Sequence, residues 1–361
     1  MANAVNEALI RDVIEDVLGR LGGSTPVISP MPAAKPAGDN GSCGCQAKGN
    51  GGKNFGVFST ADEACDAAAK AFQQLRGQGV EARRRIVEIV KSLCEDNAEE
   101  WGRLELEETK IGRLDHKIEK LQIIRNVPGV EWLRPDGLSG DHGITLEEYT
   151  PFGVVGAVTP STHSIPTLAG NIVNIVAAGN AVVFNAHPGA SRCAAMAVRQ
   201  FNEAIHRAIG IENIATIIEQ PTLESFGEMC ANDNVRLLCV TGGPGVVAAA
   251  MQTGKRAICA GPGNPPVLVD DTADLDRAAR CVVEGAAYDN NLLCIGEKEL
   301  FVLDSVADAF MSALEKHAAV RLNASQLDAL TQAAFVFPEG QGAGCPDAAV
   351  NKEFIGKDAP V

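Results

Sequence analysis

The chain has 361 residues, a formal net charge of −15, 46% hydrophobic residues and 4% aromatic residues. This length suits two domains, or one domain with appendages, and the apolar fraction is ample for a core. The negative charge makes nucleic acid and anionic membrane surfaces poor partners, and no apolar run is long enough to cross a bilayer. Eleven cysteines without a signal peptide indicate reduced thiols in the cytosol rather than disulfides.

The first 21 residues predict a short amphipathic helix. Val5, Leu9 and Val13 belong to an apolar series that recurs every four positions, while charged residues occupy the other face. Residues 22–53 predict a flexible linker because Gly, Pro, Ser and Ala dominate them. A helix this short is marginal in water, so we expect its apolar face to dock on a partner. The alternative is that it folds back on its own domain.

From Asn54 the sequence is typical of a globular α/β protein. Helical patterns come first, and from Ile144 short apolar strands alternate with helices. This order predicts βαβ units, a parallel sheet and helices on both of its faces. The predicted strands are 144–149, 153–158, 180–184, 214–219, 235–240, 266–270 and 298–303. The predicted helices are 61–77, 82–107, 114–126, 165–177, 190–208, 222–231, 245–253, 274–287 and 305–317. The stretch from Phe335 to Val361 has a loop-like composition.

Two loops that join predicted strands to helices carry small polar side chains. In residues 159–166, hydroxyl groups and helix N–H groups suit an oxyanion or a pyrophosphate; helix capping by Ser161 or Thr162 is the alternative. Residues 184–189 offer polar side chains that could contact a ribose. A histidine in such a loop, here His187, is at least as often satisfied by its neighbours.

Two further turns are rich in glycine. Residues 241–245 follow an apolar strand and precede a helix, where backbone N–H groups can approach a phosphate at the positive helix end. The pattern from Gly243 to Ala248 fits a loose dinucleotide fingerprint, although an ordinary strand-to-helix turn has the same composition. Residues 259–266 predict a tight, backbone-dominated turn without a carboxylate.

Cys294 stands out among the cysteines because it lies in a polar loop, residues 289–298, between a predicted helix and a strand. Reactive groups are often displayed at such junctions, and a thiol there can attack a carbonyl as the thiolate. Cys43 and Cys45 lie in the linker without further ligands, so no metal site is predicted. The remaining cysteines considered lie within helical patterns or an apolar strand: Cys65, Cys94, Cys193, Cys230, Cys281 and Cys239.

Taken together and in order, these motifs resemble the CoA-acylating aldehyde dehydrogenases of bacterial microcompartments, the propionaldehyde and acetaldehyde enzymes. The similarity runs from about Asn54 to about Val361. The matching segments are 157–163, 171–180, 240–244, 260–266 and 289–294. The resemblance implies an aldehyde dehydrogenase-like α/β fold with a Rossmann-like NAD-binding domain, residues 54–256, and an α/β catalytic domain, residues 257–361.

The N-terminal helix and linker resemble encapsulation peptides. This implies that residues 1–21 bind a microcompartment shell protein and that the enzyme works inside a bacterial microcompartment in the cytoplasm. Members of the family continue past the position of Val361, so we expect the catalytic domain to be incomplete. The family implies a homo-oligomer for the full-length protein, and the early end puts both activity and oligomerisation of this chain in question.

The resemblance also assigns residues by position. Cys294 is implied as the nucleophile, and Thr162 and His163 are implied near the oxyanion. The residues implied in cofactor binding are Asn185, His187, Pro188, Thr241, Gly242, Gly243, Gly261 and Gly263.

The implied reaction oxidises a short-chain aldehyde with NAD and CoA. The Cys294 thiolate attacks the aldehyde, hydride leaves for NAD, and CoA takes the acyl group from the thioester. Cys259 stands where hydrolytic relatives carry a glutamate base. A CoA thiol needs less activation than water, so the missing base favours transfer to CoA. A hydrolytic aldehyde dehydrogenase and a catalytically inactive, shell-docked protein are the alternatives.

Overall fold

The computed structural model describes residues 54–338 and 348–358 of the chain. The predictions for residues 1–21, for residues 22–53 and for Cys43 and Cys45 therefore lie outside the described residues. Within those two ranges, no helix is both long and apolar enough to cross a membrane.

Strands and helices alternate along most of the described chain. The strands are β1 (Val57–Phe58), β2 (Asp136–Gly140), β3 (Gly143–Glu147), β4 (Val154–Thr159), β5 (Ala181–Ala186), β6 (Ala215–Ile218), β7 (Val235–Thr241), β8 (Ala257–Ala260), β9 (Pro266–Val269), β10 (Glu299–Val302), β11 (Phe335–Val336) and β12 (Ala349–Val350). The helices are α1 (Ala61–Asp96), α2 (Ala98–Thr109), α3 (Leu114–Gln122), α4 (Ser164–Ala177), α5 (Ser191–Ile209), α6 (Leu223–Ala231), α7 (Pro244–Gln252), α8 (Leu275–Ala287), α9 (Asp304–Lys316) and α10 (Ala324–Ala334).

Six parallel strands form the central sheet in the order β1-β6-β5-β4-β7-β8. From β4 the chain builds outward through β5 to β6, and it then returns to place β7 and β8 on the other side of β4. The crevice between the C-terminal ends of β4 and β7 is therefore the topological switch point, where sheets of this kind bind ligands. This architecture confirms the predicted α/β class.

The centre of the sheet is buried on both faces. Every residue of β4 and β5 is buried, which explains why these strands are almost continuously apolar. Between α2 and α5 the rings of Trp101 and Phe201, both fully buried, meet edge to face with their centroids 5.4 Å apart. A second, smaller core joins β9, α8 and α9 through Val269, Ala279, Phe310 and Ala313. The predicted domain boundary at residues 256 and 257 stays a prediction.

Buried Asn180 fixes the start of β4. Its Oδ1 accepts hydrogen bonds from the N–H groups of Phe152 at 2.7 Å and Gly153 at 3.0 Å, and its Nδ2 donates to the carbonyl of Ile175 at 3.1 Å. The side chain thus ties the beginning of β4 to the segment that joins α4 and β5. Because these bonds are buried or partly buried, they help to hold the register that brings the strand ends to one edge.

The patterns 61–77 and 82–107 predict a division near Gly79 that the structure has, but they miss a second division. Helical residues run from Ala61 to Asp96 as α1, and two helices meet within this span at Gly79, which adopts a non-helical φ of 74° and ψ of −160°. Glycine adopts positive φ without strain, so the predicted interruption is a kink at Gly79. The true boundary lies at Asn97, whose backbone N–H caps the end of α1.

Three other predictions of local structure are corrected. The strand predicted at 144–149 does not join the parallel sheet, because β3 pairs antiparallel with β2 in a hairpin whose residues are all exposed. The turn predicted at 259–266 begins inside β8, which pairs with β7 as an edge strand. α10 occupies residues for which no element is predicted, and β11 and β12 pair within the loop-like stretch.

Candidate functional site

The C-terminal ends of β4, β5 and β7 border a cavity of about 380 Å³. The strands bring distant loops together there because the ends of parallel strands meet at one edge of the sheet. The predicted site residues that line this cavity are Thr162, Asn185, His187, Pro188, Thr241, Gly242, Gly243, Gly261 and Cys294. Gly263 and His163 are outside its lining. The wall also includes residues before and within α6 that the sequence analysis did not single out: Pro221, Thr222, Leu223 and Phe226.

The glycine turn after β7 leaves its backbone open toward the cavity. Gly243 is the N-cap of α7, and a Cβ on this residue would meet no atom within 4 Å. The turn is held from the side of β8, since the N–H of Gly242 donates to the carbonyl of Ala260 at 3.1 Å. A bare backbone at the start of a helix suits a phosphate group.

The side-chain amide of Asn185 forms hydrogen bonds to other residues of the cavity wall. Its Oδ1 accepts a hydrogen bond from Ser225 Oγ at 2.8 Å, and its Nδ2 donates to the carbonyl of Thr222 at 3.3 Å. Thr222 and Ser225 form the capping box that starts α6. The buried amide of Asn185 therefore locks the end of β5 to the first turn of α6, which shapes the cavity whether or not the amide also contacts a ligand.

His187 presents one ring nitrogen to its own loop. Its Nδ1 accepts a hydrogen bond from the N–H of Gly189 at 3.0 Å, which assigns the ring proton to Nε2. The residue as a whole is exposed, but partial burial of the ring lowers the pKa of His187. At neutral pH the ring is thus a neutral hydrogen-bond donor through Nε2. The alternative given above, that neighbouring residues satisfy the hydrogen bonding of His187, is correct for Nδ1.

Cys294 is exposed in the loop between α8 and β10. The loop begins with three consecutive residues of positive φ: Asp289 at 50°, Asn290 at 56° and Asn291 at 58°. On its other side, the backbone of Gly263 packs directly against the carbonyl group of Cys294. Cys294 therefore lies where the sequence predicted, in a loop, but the loop is closely fitted to the turn after β8.

A second cavity of about 690 Å³ meets the first at Cys294. The two cavities share the lining residues Pro160, Thr162, Thr241 and Cys294. Besides apolar residues, the second cavity adds His163 and several side chains that the sequence analysis did not assign to a site: Glu119, Lys120, Cys281, Glu284, Tyr288 and Glu297. The Cys294 thiol and Thr162 thus lie at the junction of two spaces that could hold different molecules.

Two buried ion pairs lie close to this junction. Lys117 pairs with Glu105 at 2.9 Å and Lys120 with Asp289 at 2.6 Å, and all four side chains are at most 1% exposed. Burial, with Lys120 and Lys117 nearby, lowers the pKa of His163 to about 3. The His163 ring is therefore neutral at physiological pH, and its Nδ1 is buried without a hydrogen-bond partner among the described residues.

Known proteins share this architecture. A model of the aldehyde dehydrogenase family matches residues 57–336. Acetaldehyde dehydrogenase (acetylating) EutE of Salmonella typhimurium is 42% identical over 307 residues, which are 84% of this chain and 64% of that protein. The chain therefore belongs to the aldehyde dehydrogenase family, and it spans about 64% of the length of this curated relative.

Two solved structures are similar. The propionaldehyde dehydrogenase of Rhodopseudomonas palustris with bound CoA and an acylated cysteine is 40% identical, with a TM-score of 0.72 over 77% of this chain and 65% of that one. The propionaldehyde dehydrogenase from the Clostridium phytofermentans fucose utilisation bacterial microcompartment is 39% identical, with a TM-score of 0.76 over 84% of this chain and 68% of that one. The predicted family and fold are confirmed.

Proposed function

We propose that this chain carries the site of an NAD-dependent, CoA-acylating aldehyde dehydrogenase that converts a short-chain aldehyde to its acyl-CoA. The observation that carries the proposal is the exposed Cys294 thiol at the junction of two cavities, beside Thr162 and the glycine turn after β7. The relatives support it, since one is an acetylating acetaldehyde dehydrogenase and another holds CoA and an acylated cysteine.

In the proposed reaction Cys294 is the nucleophile. Its sulfur forms a bond to the aldehyde carbon, and the carbonyl electrons move to the oxygen, giving a thiohemiacetal anion. Backbone N–H groups, including that of Cys294, and the hydroxyl of Thr162 would bind this oxygen. His163, being neutral, can act here only as a dipole or a hydrogen-bond donor. After oxidation, the CoA thiolate attacks the thioester carbon and the Cys294 thiolate leaves.

The first cavity fits part of a nicotinamide dinucleotide. Gly242 and Gly243 leave room for a phosphate at the start of α7, and the wall residue Thr159 has a buried Oγ1 without a hydrogen-bond partner among the described residues. His187 adds an Nε2–H donor at the same edge. These residues would hold NAD, which would supply the hydride acceptor for oxidation of the thiohemiacetal carbon. The roles of Pro188, Gly261 and Gly263 in cofactor binding stay predictions.

Transfer to CoA rather than water rests on the absence of a base at the position of Cys259. Cys259 lies in β8, and the segment around it, residues 257–264, contains no carboxylate. One observation favours hydrolysis as a second candidate. Glu297 lines the cavity with Cys294 and, among the described residues, forms no hydrogen bond or ion pair through its carboxylate. Such a carboxylate could activate water.

Product analysis separates the two reactions. With aldehyde, NAD and CoA supplied together, we expect acyl-CoA to be the main product, measured by liquid chromatography. Mainly free acid, lost on Glu297→Gln, would establish the hydrolytic candidate and refute the CoA proposal.

The decisive test of the nucleophile compares two exposed cysteines of the same cavity. Cys294→Ser should lower the rate of NADH formation by at least about 10³-fold, because the hydroxyl is a much weaker nucleophile than the thiolate. Cys281→Ser is the matched control, since Cys281 is also exposed and lines the second cavity from α8. Full activity of the Cys294→Ser variant would remove Cys294 from the mechanism. A wild-type chain without turnover would favour the inactive, shell-docked alternative.

The proposal extends to location and partners. Residues 1–21 would bind a shell protein and place the enzyme inside a bacterial microcompartment, as the microcompartment origin of one relative supports; the full-length protein would be a homo-oligomer. Fusion of residues 1–21 to a fluorescent protein should bring that protein into purified microcompartments. A fusion with Leu9 and Val13 replaced by Asp should stay outside, and equal loading of both would contradict the docking proposal.

A further inference from the structure

One side of α3 contacts the segment that leads into the Cys294 loop. The ring of His116 stacks on Tyr288, with centroids 4.1 Å apart and planes 15° from parallel. His116 Nδ1 accepts a hydrogen bond from the N–H of Asp289 at 2.8 Å, and Glu119 accepts one from the hydroxyl of Tyr288 at 2.9 Å. The end of α8 is therefore attached to α3 through stacking and hydrogen bonds.

A further attachment is ionic. Asp289 Oδ2 lies 2.6 Å from Lys120 Nζ, and Asp289 Oδ1 accepts a hydrogen bond from the N–H of Arg113 at 2.7 Å. Lys120 Nζ also donates to the carbonyl of Thr162 at 3.3 Å. One buried ammonium group thus bonds both to the loop before Cys294 and to the loop that carries Thr162.

The backbone at Asp289 needs such support. Three successive non-glycine residues of positive φ are strained, and such strain persists only where the surroundings over-determine the conformation. Gly112 packs so closely on the Asp289 carboxylate that any Cβ there would overlap its oxygens. The buried carboxylate of Asp289 is therefore in contact with Gly112, the backbone of Arg113 and the ammonium group of Lys120.

We propose that the ion pair between Lys120 and Asp289 is a positioning device that sets the distance between the Cys294 loop and the Thr162 loop. A buried ion pair seldom adds net stability over apolar residues, so a geometry that the pair specifies is the better reason for its presence. Its effect on catalysis rests on the proposed function, with Cys294 as nucleophile and Thr162 at the oxyanion. The effect of the ion pair on the placement of the Cys294 loop does not depend on the proposed function.

The pair of Lys117 and Glu105 provides a matched control. It lies one turn away on the same helix, has the same burial and a similar length, and does not touch the segment that leads to Cys294. Glu105 instead accepts a hydrogen bond from the N–H of Ile165 in α4. Lys117→Met should therefore lose the stability that any broken buried ion pair costs, but it should not change the placement of the Cys294 loop.

The test combines amide hydrogen exchange with steady-state kinetics on the full chain. In Lys120→Met we expect exchange in residues 289–294 to be at least about tenfold faster, and kcat to fall by about 10–100-fold with the KM for aldehyde within about threefold. In Lys117→Met these residues should exchange within about twofold of the wild-type rate. If Lys120→Met does not fold, the double variant Lys120→Met with Asp289→Asn, which leaves no buried uncompensated charge, takes its place.

Unchanged exchange in residues 289–294, or equal acceleration in Lys117→Met, would overturn the proposal. A wild-type chain that shows no turnover would count against the proposed function alone, because the exchange comparison needs no activity. Faster exchange confined to the Lys120 variants, with or without turnover, would support the positioning role.

Discussion

Gly263→Ala tests how tightly the Cys294 loop is placed. A Cβ at this position would lie within 3.0 Å of the carbonyl oxygen of Cys294, 3.3 Å from its carbonyl carbon and 3.8 Å from its Cβ. The obstacle is backbone, which cannot rotate aside as a flexible side chain does. The substitution must therefore move the Cys294 loop and the turn after β8 apart.

The size of the effect follows from the shift required. Ordinary carbon contacts begin near 3.4 Å, so the backbone must retreat by on the order of 1 Å, and such a misplacement at a reacting atom costs on the order of 100-fold in rate. Overpacking of this kind also destabilises by about 1–3 kcal/mol. We expect kcat of the proposed oxidation to fall about 100-fold, with a lower free energy of unfolding.

The assay measures kcat at saturating aldehyde, NAD and CoA, and the free energy of unfolding in urea. Gly227→Ala is the control, because Gly227 is an exposed helical residue of α6 whose added Cβ would meet no atom within 4 Å. It should retain wild-type kcat and equal or slightly higher stability. Wild-type kcat and stability in Gly263→Ala would refute the close fit between the two loops.

Three further changes test the fold and its electrostatics. Asn180→Ala leaves the N–H groups of Phe152 and Gly153, the second of them buried, without their acceptor, so the free energy of unfolding in urea should fall by about 1–3 kcal/mol; a fall below about 0.5 kcal/mol would contradict this role. Phe201→Ala removes a fully buried ring, and calorimetry should show a loss of about 3–5 kcal/mol with no change in the alkylation rate of Cys294 in folded protein. The pKa of His163 is lowered to about 3 in the native state, against about 6.5 when unfolded, so between these values the unfolded chain binds a proton that the native chain does not. Stability should therefore rise with pH across that window, and His163→Gln should make the rise shallower between pH 5 and pH 7 in urea titrations; equal slopes would indicate that the ring is not held neutral.

The parts of the fold that the sequence predicts are those with long, consistent patterns. The apolar strands and amphipathic helices between residues 153 and 253 appear close to their predicted bounds, because their periodicity and their burial agree. β8 was missed since it is a four-residue edge strand with alternating exposure, followed at once by glycine and proline. The pairing of β3 was missed since pairing depends on a partner, and a local pattern does not identify one.

Some features of the site could likewise be predicted from the sequence and others could not. Loops after parallel strands converge at one edge, so the turns near Thr162, Asn185 and Gly243 could be grouped from the sequence. The contact of Lys120 with Asp289 joins residues about 170 positions apart, and no local pattern marks it. Gly263 was singled out as part of a glycine turn, but the reason for its missing side chain, the nearby carbonyl of Cys294, is visible only in three dimensions.

The strand order also has a consequence for synthesis on the ribosome. Among the residues that the structure describes, β1 pairs only with β6, and Val57 meets Ile217 about 160 residues further along the chain. β1, the first strand among the described residues, therefore stays unpaired until β4, β5 and β6 have been translated, and it then forms a two-residue edge of the sheet. Stalled or shortened translation before residue 218 would leave this strand without a neighbour and the outer side of the sheet unfinished, a state exposed to pairing with other chains.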